Sequence, residues 1–426
     1  MFRLMHSADW QLGARFSQFG SAAERLRTAR INTLRHTLAL AIKHEADAFI
    51  IAGDLFEDNQ VNDALVASAM DLFRAHPALP IYVLPGNHDP YTGPDSVWQR
   101  KAFLHAPANV HVLREAGVTA LGGNAYLVAS PLHQKLSTTD PSLKLVELAA
   151  GLPSDAIKIG VTHGALAIEA KHQPNDFPIA LNAATRAGLD YLAIGHWHNW
   201  LPDTDAGRIV MPGTPEPDRF ANDASGHVAL VEIPGSGQPP RVQALPVATL
   251  TWRALTFDFV SAEASRVSLA AALAELTPAA SSTVLRVTLS GVASPVARAE
   301  IRTWLTSALG PFLVGQLVDR TQVALTSVEL ADLQIRHPIL AQVLADIDRL
   351  ETFATGTVAT SPISGPVSSD VAVNSAASTA PASALLTLPE AQALLTPAKI
   401  DLASLTPELL AQLRQTIFQT LQEVAR

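Results

Sequence analysis

The sequence contains no cysteine. That one absence excludes a disulfide framework, a thiolate zinc site and a cysteine nucleophile together, so any metal must be held by oxygen and imidazole. Charge is also scarce, 16% of residues against 48% hydrophobic, so folding is driven by apolar burial and disorder can only be local. No run approaches the roughly 18 apolar residues that cross a bilayer, and no membrane is expected. Met1-Phe2-Arg3-Leu4-Met5-His6 meets a polar motif at Asp9 without a long apolar core or a small-residue cleavage site. It is therefore not read as a signal peptide, and a cytoplasmic location is expected. Cations are outnumbered: the formal net charge of -9 argues against unspecific DNA binding, because affinity for a phosphate backbone comes mainly from basic side chains that release counterions. A local basic groove or bound divalent metals can still reverse the field where a substrate sits.

What is present is a long chain with a strong internal rhythm. Its 426 residues predict two or three domains. Over residues 1–245, short apolar runs alternate with amphipathic helical patterns, the signature of an α/β domain. Leu4-Met5-His6, Ala48-Phe49-Ile50-Ile51-Ala52, Ile81-Tyr82-Val83-Leu84, Ile157-Lys158-Ile159-Gly160-Val161 and Tyr191-Leu192-Ala193-Ile194 read as buried strands. Helices are predicted from about Ala22 to His44 and from about Asp63 to Ala75. Each strand runs straight into a polar cluster, so five sets of side chains are expected at the carboxyl edge of one sheet, where such folds place ligand sites.

Residues 250–327 read as a smaller α+β unit containing none of these clusters. A helix is predicted over 331–353, opened by Pro338 in its short apolar part, since proline suits a first turn. Residues 355–384 are almost wholly small or polar and read as a disordered linker. Residues 385–426 read as a C-terminal helical segment, with Leu410, Leu413, Ile417, Leu421 and Val424 on one stripe, suited to docking on its own chain or on a partner.

Taken singly, none of the polar residues is diagnostic, since a lone histidine on a strand is commonly structural and an aspartate after a strand is often a helix cap. Their joint order is different. Asp9-Trp10-Gln11, Gly53-Asp54, Gly86-Asn87-His88-Asp89, Thr162-His163-Gly164 and Gly195-His196-Trp197-His198 follow one another, each at a strand end. This resembles the calcineurin-like metallophosphoesterase superfamily, whose motifs run Asp-x-His, Gly-Asp, Gly-Asn-His-Asp/Glu, His and Gly-His-x-His. The stretch from Leu84 to Asp89 is the most specific part. Within the superfamily, His6 to Gly13, Gly53-Asp54-Leu55-Phe56 and Met211 to Glu216 resemble the DNA-repair exonuclease branch that includes the bacterial SbcD nuclease. The superfamily resemblance covers about residues 1–220.

The resemblance implies a layered α/β/β/α sandwich with a small α+β cap and a C-terminal helical tail. It also implies a two-metal nuclease that hydrolyses phosphodiester bonds in DNA, working as a homodimer with an SbcC-like coiled-coil ATPase. Carried over residue by residue, Asp54 bridges the two metals, Asp9, Gln11 and His198 complete the first, and Asn87, His163 and His196 complete the second. His88 contacts the scissile phosphate or protonates the leaving oxygen, and Asp89 orients its ring.

The chemistry is consistent with such a set. A phosphodiester resists attack by anions, and two metals about 3.5–4 Å apart supply both positive charge and a nucleophile at neutral pH. Residues two apart on extended chain share a face, so Asp9 with Gln11, and His196 with His198, are expected to point together. Only Asp9 and Asp54 among the seven ligands are charged, which leaves two divalent cations about two charges in excess to meet a phosphate. Oxygen and imidazole ligands without sulfur favour Mn2+, with Fe2+ or Mg2+ as alternatives.

Gln11 departs from the pattern, because an amide oxygen is a weaker donor than the usual imidazole, so the first site is expected to bind less tightly. Glu57, where many nuclease relatives have a histidine, is expected to be a solvated helix start. Arg15 and Arg219 are candidates for clamping a phosphate, with plain exposure as the alternative, and Trp10, Trp197 and Trp200 for stacking on unpaired bases, with core packing beneath the site as the alternative. Two alternatives to a nuclease remain: a phosphodiesterase or phosphatase acting on small nucleotides, and a non-catalytic scaffold with a weakened metal site.

Overall fold

A computed structural model of the chain describes residues 1–323 apart from 170, 172, 223 and 260, together with the single positions 335, 342 and 345. The segments read as a linker (355–384) and a C-terminal helical segment (385–426) lie outside the described residues, as does nearly all of the helix expected over 331–353. The described chain forms two compact units. One comprises Met1–Ala254, Ala279–Arg286 and Pro311–Gly315, and the other Leu255–Pro278, Val287–Gly310 and the residues from Gln316 on.

The first unit is built on two six-stranded sheets. One contains β1 (Phe2–Ser7), β2 (Ala48–Ala52), β3 (Ile81–Leu84), β4 (Val110–Val112), β11 (His227–Ile233) and β12 (Arg241–Pro246), in the order β12-β11-β1-β2-β3-β4. The other contains β5 (Gly117–Gly122), β6 (Ala125–Ser130), β7 (Ile157–His163), β8 (Tyr191–Gly195), β9 (Leu201–Thr204) and β10 (Ile209–Met211), in the order β5-β6-β7-β8-β10-β9. Strands β1, β2 and β3 are mutually parallel, as are β6, β7 and β8.

Side chains alternate across each strand, and here both faces are covered. Met5, Phe49, Ile51, Ile81 and Val83 pack with Leu34 and Leu38 of α1 (Ala23–Lys43) and with Val66, Met70 and Phe73 of α2 (Asp63–Arg74). Their neighbours Leu4, Ile50, Ala52 and Leu84 face inward instead, meeting Leu127, Ile159, Val161 and Ala193 of the second sheet. The far face of that sheet, through Val128, Leu192 and Ile194, is covered by Leu145 and Ala149 of a helix at Leu143–Ala149 and by Ala183 and Ala184 of one at Ala183–Arg186. The layering is therefore α/β/β/α, as expected.

One expectation is corrected. The five polar clusters do not follow strands of one sheet: three follow β1, β2 and β3, and two follow β7 and β8 of the other sheet. A strand buried on both faces is a continuous apolar run whichever sheet it joins, so its sequence carries no address.

In the second unit the strand segments belong to β13 (Thr251–Phe259), β14 (Thr283–Ala293) and β15 (Val314–Asp319), hydrogen-bonded in that order. Its long helices span Ala262–Leu276 and Pro295–Ala308, capped by Ser261 and Ser294, whose side chains accept from the amides of Ala264 and Ala297.

Candidate metal centre

Both segments that leave the first two strands turn sharply. Asp9 and Asp54 adopt φ 54°, in the left-handed region that aspartate tolerates better than most residues. The two turns are tied together, with Asp9 N–H donating to Gly53 O at 3.2 Å and Gln11 N–H to Asp54 O at 2.9 Å. Gln11 itself has φ 40° and His196 φ 138°, so neither Asp9 with Gln11 nor His196 with His198 lies on extended chain. The extended chain on which the shared-face expectation rested is absent there, and the His196 ring is held instead by contacts to Asn87 and Asp176.

Asp9, Asp54 and His163, all buried, each bring one candidate ligand atom to within 4.8 Å of the other two. His163 Nδ1 faces the carbonyl oxygen of Ala52 at 2.8 Å. A carbonyl only accepts, so Nδ1 carries the proton and Nε2 is the nitrogen turned to the centre. There Nε2 meets Asn87 Oδ1 at 2.9 Å and Asp54 Oδ2 at 3.4 Å. Asn87 Oδ1 also meets His196 Nδ1 at 3.1 Å. Asp54 Oδ1 accepts from His88 N–H at 2.9 Å, and Asp9 Oδ2 from His196 N–H at 3.0 Å. Asp9 Oδ1 is buried, and among the described residues it has no donor. Buried acceptors that converge without enough donors fit a cation: the donor set present can hold a metal.

The electrostatics agree. Burial alone would raise Asp54, yet His163, with its charge and its hydrogen bond, and then His88 hold its carboxyl well below the usual carboxylate range. Burial alone would lower His163, but Asp54 and then Asp9 push it up to about 9. Asp9 is raised, chiefly by burial.

Two glycines make the approach possible. A Cβ on Gly53 would lie 2.1 Å from His163 Nδ1, and one on Gly86 would lie 2.1 Å from Asp54 Oδ1. The Gly-Asp and Gly-Asn-His signatures thus record close packing of backbone against ligating side chains.

His88 lines the cleft beside this centre, but its orienting partner is not the expected one. Its Nδ1 faces Glu57 O at 2.9 Å. Asp89, which was expected to hold the ring, is fully buried and turns both oxygens to backbone amides, Oδ1 to Gly86 N at 2.8 Å and Oδ2 to Phe56 N at 2.9 Å. It locks the turn that presents Asn87 and His88, and burial together with Asp54 raises its carboxyl to about 7. Glu57 is half-buried on the cleft wall and not in a helix, against expectation; burial raises its carboxyl.

The cleft has a volume of about 1130 Å³, and Gln11, His196 and His198 reach its wall with Arg15, Lys171, Trp197 and Arg219. Trp10 does not: it is fully buried in the core against the helices, with Nε1–H donating to Ser7 Oγ at 2.9 Å, so the stacking role expected of it is withdrawn. Sequence reading passed over three further residues. Asp176 Oδ2 meets His196 Nε2 at 2.8 Å, and Asp218 Oδ2 meets His198 Nδ1 at 3.0 Å. Arg30, fully buried, donates Nη1–H to Trp10 O at 2.6 Å beneath the Asp9 turn. A carboxylate two residues past a Pro-Glu pair, or an arginine on a helix face, carries no signal of this kind by itself.

A layered two-sheet α/β unit whose strand ends gather carboxylates and imidazoles at one buried centre can hold a metal. Residues 2–200 match the calcineurin-like phosphoesterase family, and they form a calcineurin-like phosphoesterase domain. Among curated relatives, the uncharacterized metallophosphoesterase YhaO of Bacillus subtilis is 22% identical over 249 residues, 54% of this chain and 57% of that protein. The SbcD component of the SbcCD nuclease of Rhodobacter capsulatus is 34% identical over 124 residues, 28% of this chain and 26% of that protein. The chain thus spans about half the length of the first and a quarter of the second. Among solved structures, TT1561 of Thermus thermophilus has a TM-score of 0.40 at 11% identity, covering 58% of this chain and 99% of that one. A dimetal phosphatase from Danio rerio has a TM-score of 0.36 at 13% identity, covering 57% and 98%.

Proposed function

We propose that the chain is a two-metal DNA nuclease of manganese type, cytoplasmic and homodimeric, acting in DNA processing as the nuclease component of a complex with an SbcC-like ATPase. The observation that carries the phosphodiesterase reading is the convergence of Asp9, Asp54, Asn87, His163 and His196 on one buried centre that opens to a cleft through Gln11, His88 and His198. Support for DNA comes from the cations Arg15, Lys171 and Arg219 on the cleft wall and from the likeness to the SbcD nuclease.

Asp54, with one oxygen toward His163 and the other accepting from the His88 amide, would hold both cations. Asp9, Gln11 and His198 are assigned to one, and Asn87, His163 and His196 to the other. When bound, two divalent cations supply positive charge against the phosphate oxygens and make water acidic enough to attack at neutral pH. His88, fixed through Nδ1, keeps Nε2 free to hold a proton for the leaving oxygen. Burial works against its protonated form, but Asp54, the hydrogen bond to Glu57 O and the Glu57 charge raise its basicity above the ordinary value. Asp89 contributes by holding the His88 turn.

Glu57, Asp58 and Asp218 bring three carboxylates to the same wall, an observation that favours a small nucleotide over a polymer as the second reading. Single- and double-stranded DNA and a chromogenic diester, each assayed with Mn2+ for wild type, Asp54→Asn and His88→Ala, test the proposal. DNA cleavage lost in both variants is the expected result. Cleavage of the small diester alone would replace the nuclease by the second reading, and no activity on any ester would leave a scaffold.

A further inference from the structure

Arg30 of α1 carries a positive charge into the interior. Its side chain is fully buried, and among the described residues Nε and Nη2 have no hydrogen-bond partner. A buried guanidinium with idle donors is a costly way to fill space, since each unmet donor keeps its desolvation penalty. Burial works against the charge, and Asp218, Glu216 and Glu57 support it. The Phe16 ring adds a cation–π contact, its centroid 5.4 Å from the guanidinium carbon.

One nitrogen makes the bonds. Arg30 Nη1–H donates to Trp10 O at 2.6 Å, and Nη1 also lies 3.4 Å from Thr214 Oγ1. Thr214 Oγ1 gives its own proton to Glu216 O at 3.0 Å, which leaves a lone pair for Nη1. Trp10 stands between Asp9 and Gln11, and Thr214 N–H donates to His198 O at 3.0 Å. The approach of these last two segments is close: a Cβ on Gly213 would lie 2.4 Å from His198 O. Arg30 thus meets the turn that carries Asp9 and Gln11 directly, and the segment that carries His198 through Thr214. Those three side chains are the ones assigned to one cation. Asn87 and His163, assigned to the other, lie on segments that no Arg30 hydrogen bond reaches among the described residues.

We propose that Arg30 is a positioning residue: through Trp10 O and Thr214 it clamps the segments that present Asp9, Gln11 and His198, and so governs the affinity of one cation and not the other. The proposal rests on the two-metal reading above. Asp9 and Gln11 sit at φ 54° and 40°, a turn that persists only while its surroundings hold it, and Arg30 holds the carbonyl between them. Glu216 has donors of its own in Thr33 Oγ1, Thr249 N–H and Oγ1, and Leu250 N–H, so removing Arg30 takes no hydrogen bond from it.

Arg30→Met removes the charge and the donors while keeping an unbranched side chain, and Arg30→Lys restores the charge and an ammonium donor. Calorimetric titration of the full chain with Mn2+ is expected to show two ions on wild type, one of them bound about 10-fold more weakly in Arg30→Met and the other unchanged. Arg30→Lys should recover part of that loss. In a Gln11→Ala background Arg30→Met should cost less than it does alone, because both act on one site. Amide hydrogen exchange of the metal-free chain reads the clamp without any ion: Gln11 and Thr214 should exchange faster in Arg30→Met, and Gly86 and His88 at the wild-type rate. Unchanged binding, equal weakening of both ions, losses that add in the Gln11→Ala background, or faster exchange at all four amides would overturn the proposal. Should Arg30→Met fail to fold, Arg30→Lys carries the same measurements; a smaller loss at one ion is then expected, and no loss would overturn the proposal. Fewer than two ions on wild type, with exchange faster at Gln11 and Thr214 alone in the variant, would keep the clamp and overturn the two-metal reading.

Discussion

Replacing Gly53 by alanine isolates the packing that brings backbone and ligand together. Gly53 has φ +93°, and its added Cβ would sit 2.1 Å from His163 Nδ1 and 2.6 Å from Cγ. The ring cannot retreat, because it is fully buried and pinned between Ala52 O at 2.8 Å and Asn87 Oδ1 at 2.9 Å. A side chain at positive φ costs about 1–2 kcal/mol. Overpacking a rigid site adds roughly 1–3 kcal/mol. The total is about 2–5 kcal/mol. Gly93 supplies the control: its φ is +99°, and a Cβ there meets nothing within 4 Å. Gly93→Ala should therefore show only the backbone cost, about 1–2 kcal/mol. Urea unfolding of the metal-free chain, followed through the buried Trp10 and Trp98, reads the difference, and Mn2+ titration should show weakened binding in Gly53→Ala alone. Equal destabilisation of the two variants, or intact Mn2+ binding in Gly53→Ala, would refute the account of this glycine.

Three other outcomes are expected. Gln11→His should tighten Mn2+ binding in calorimetry, since imidazole is the better donor, and an unchanged affinity would remove Gln11 from the ligand set. In the metal-free chain His163 is raised from its ordinary 6.5 to about 9, so its contribution to stability is complete below about pH 6.5 and lost as pH rises through 9. The urea midpoint should fall over that interval while Mn2+ affinity rises, and a midpoint that climbs with pH would contradict the assignment. Trp10→Phe removes the bond to Ser7 Oγ and should cost about 1–3 kcal/mol of stability without changing DNA affinity, whereas Trp197→Ala, on the cleft wall, should weaken binding to single-stranded DNA in a fluorescence-anisotropy titration.

Much of the centre was legible because its signals are local. A buried strand announces itself by an unbroken apolar run, and the polar residue that ends it must fall at a sheet edge, so Asp9, Asp54, Asn87, His163 and His196 could be placed at strand ends, though not assigned to one sheet or the other. Trp10 shows the limit: it stands between two of the expected ligands, yet the tight turn at Asp9 sends its ring into the core. Asp89 shows another, since its neighbour in sequence, His88, is oriented by a carbonyl from a different loop.

By itself, then, the sequence determined the strands, the polar residues at their ends and the absence of thiolate from any metal site, all of which follow from residue type and short-range periodicity. Only the tertiary structure decided that two sheets share the centre, that Ala52 O sets the tautomer of His163, and that Asp176 and Asp218 stand behind His196 and His198. Those contacts join segments far apart in the chain, and a hydrogen bond between distant groups leaves no periodic trace in the order of residues.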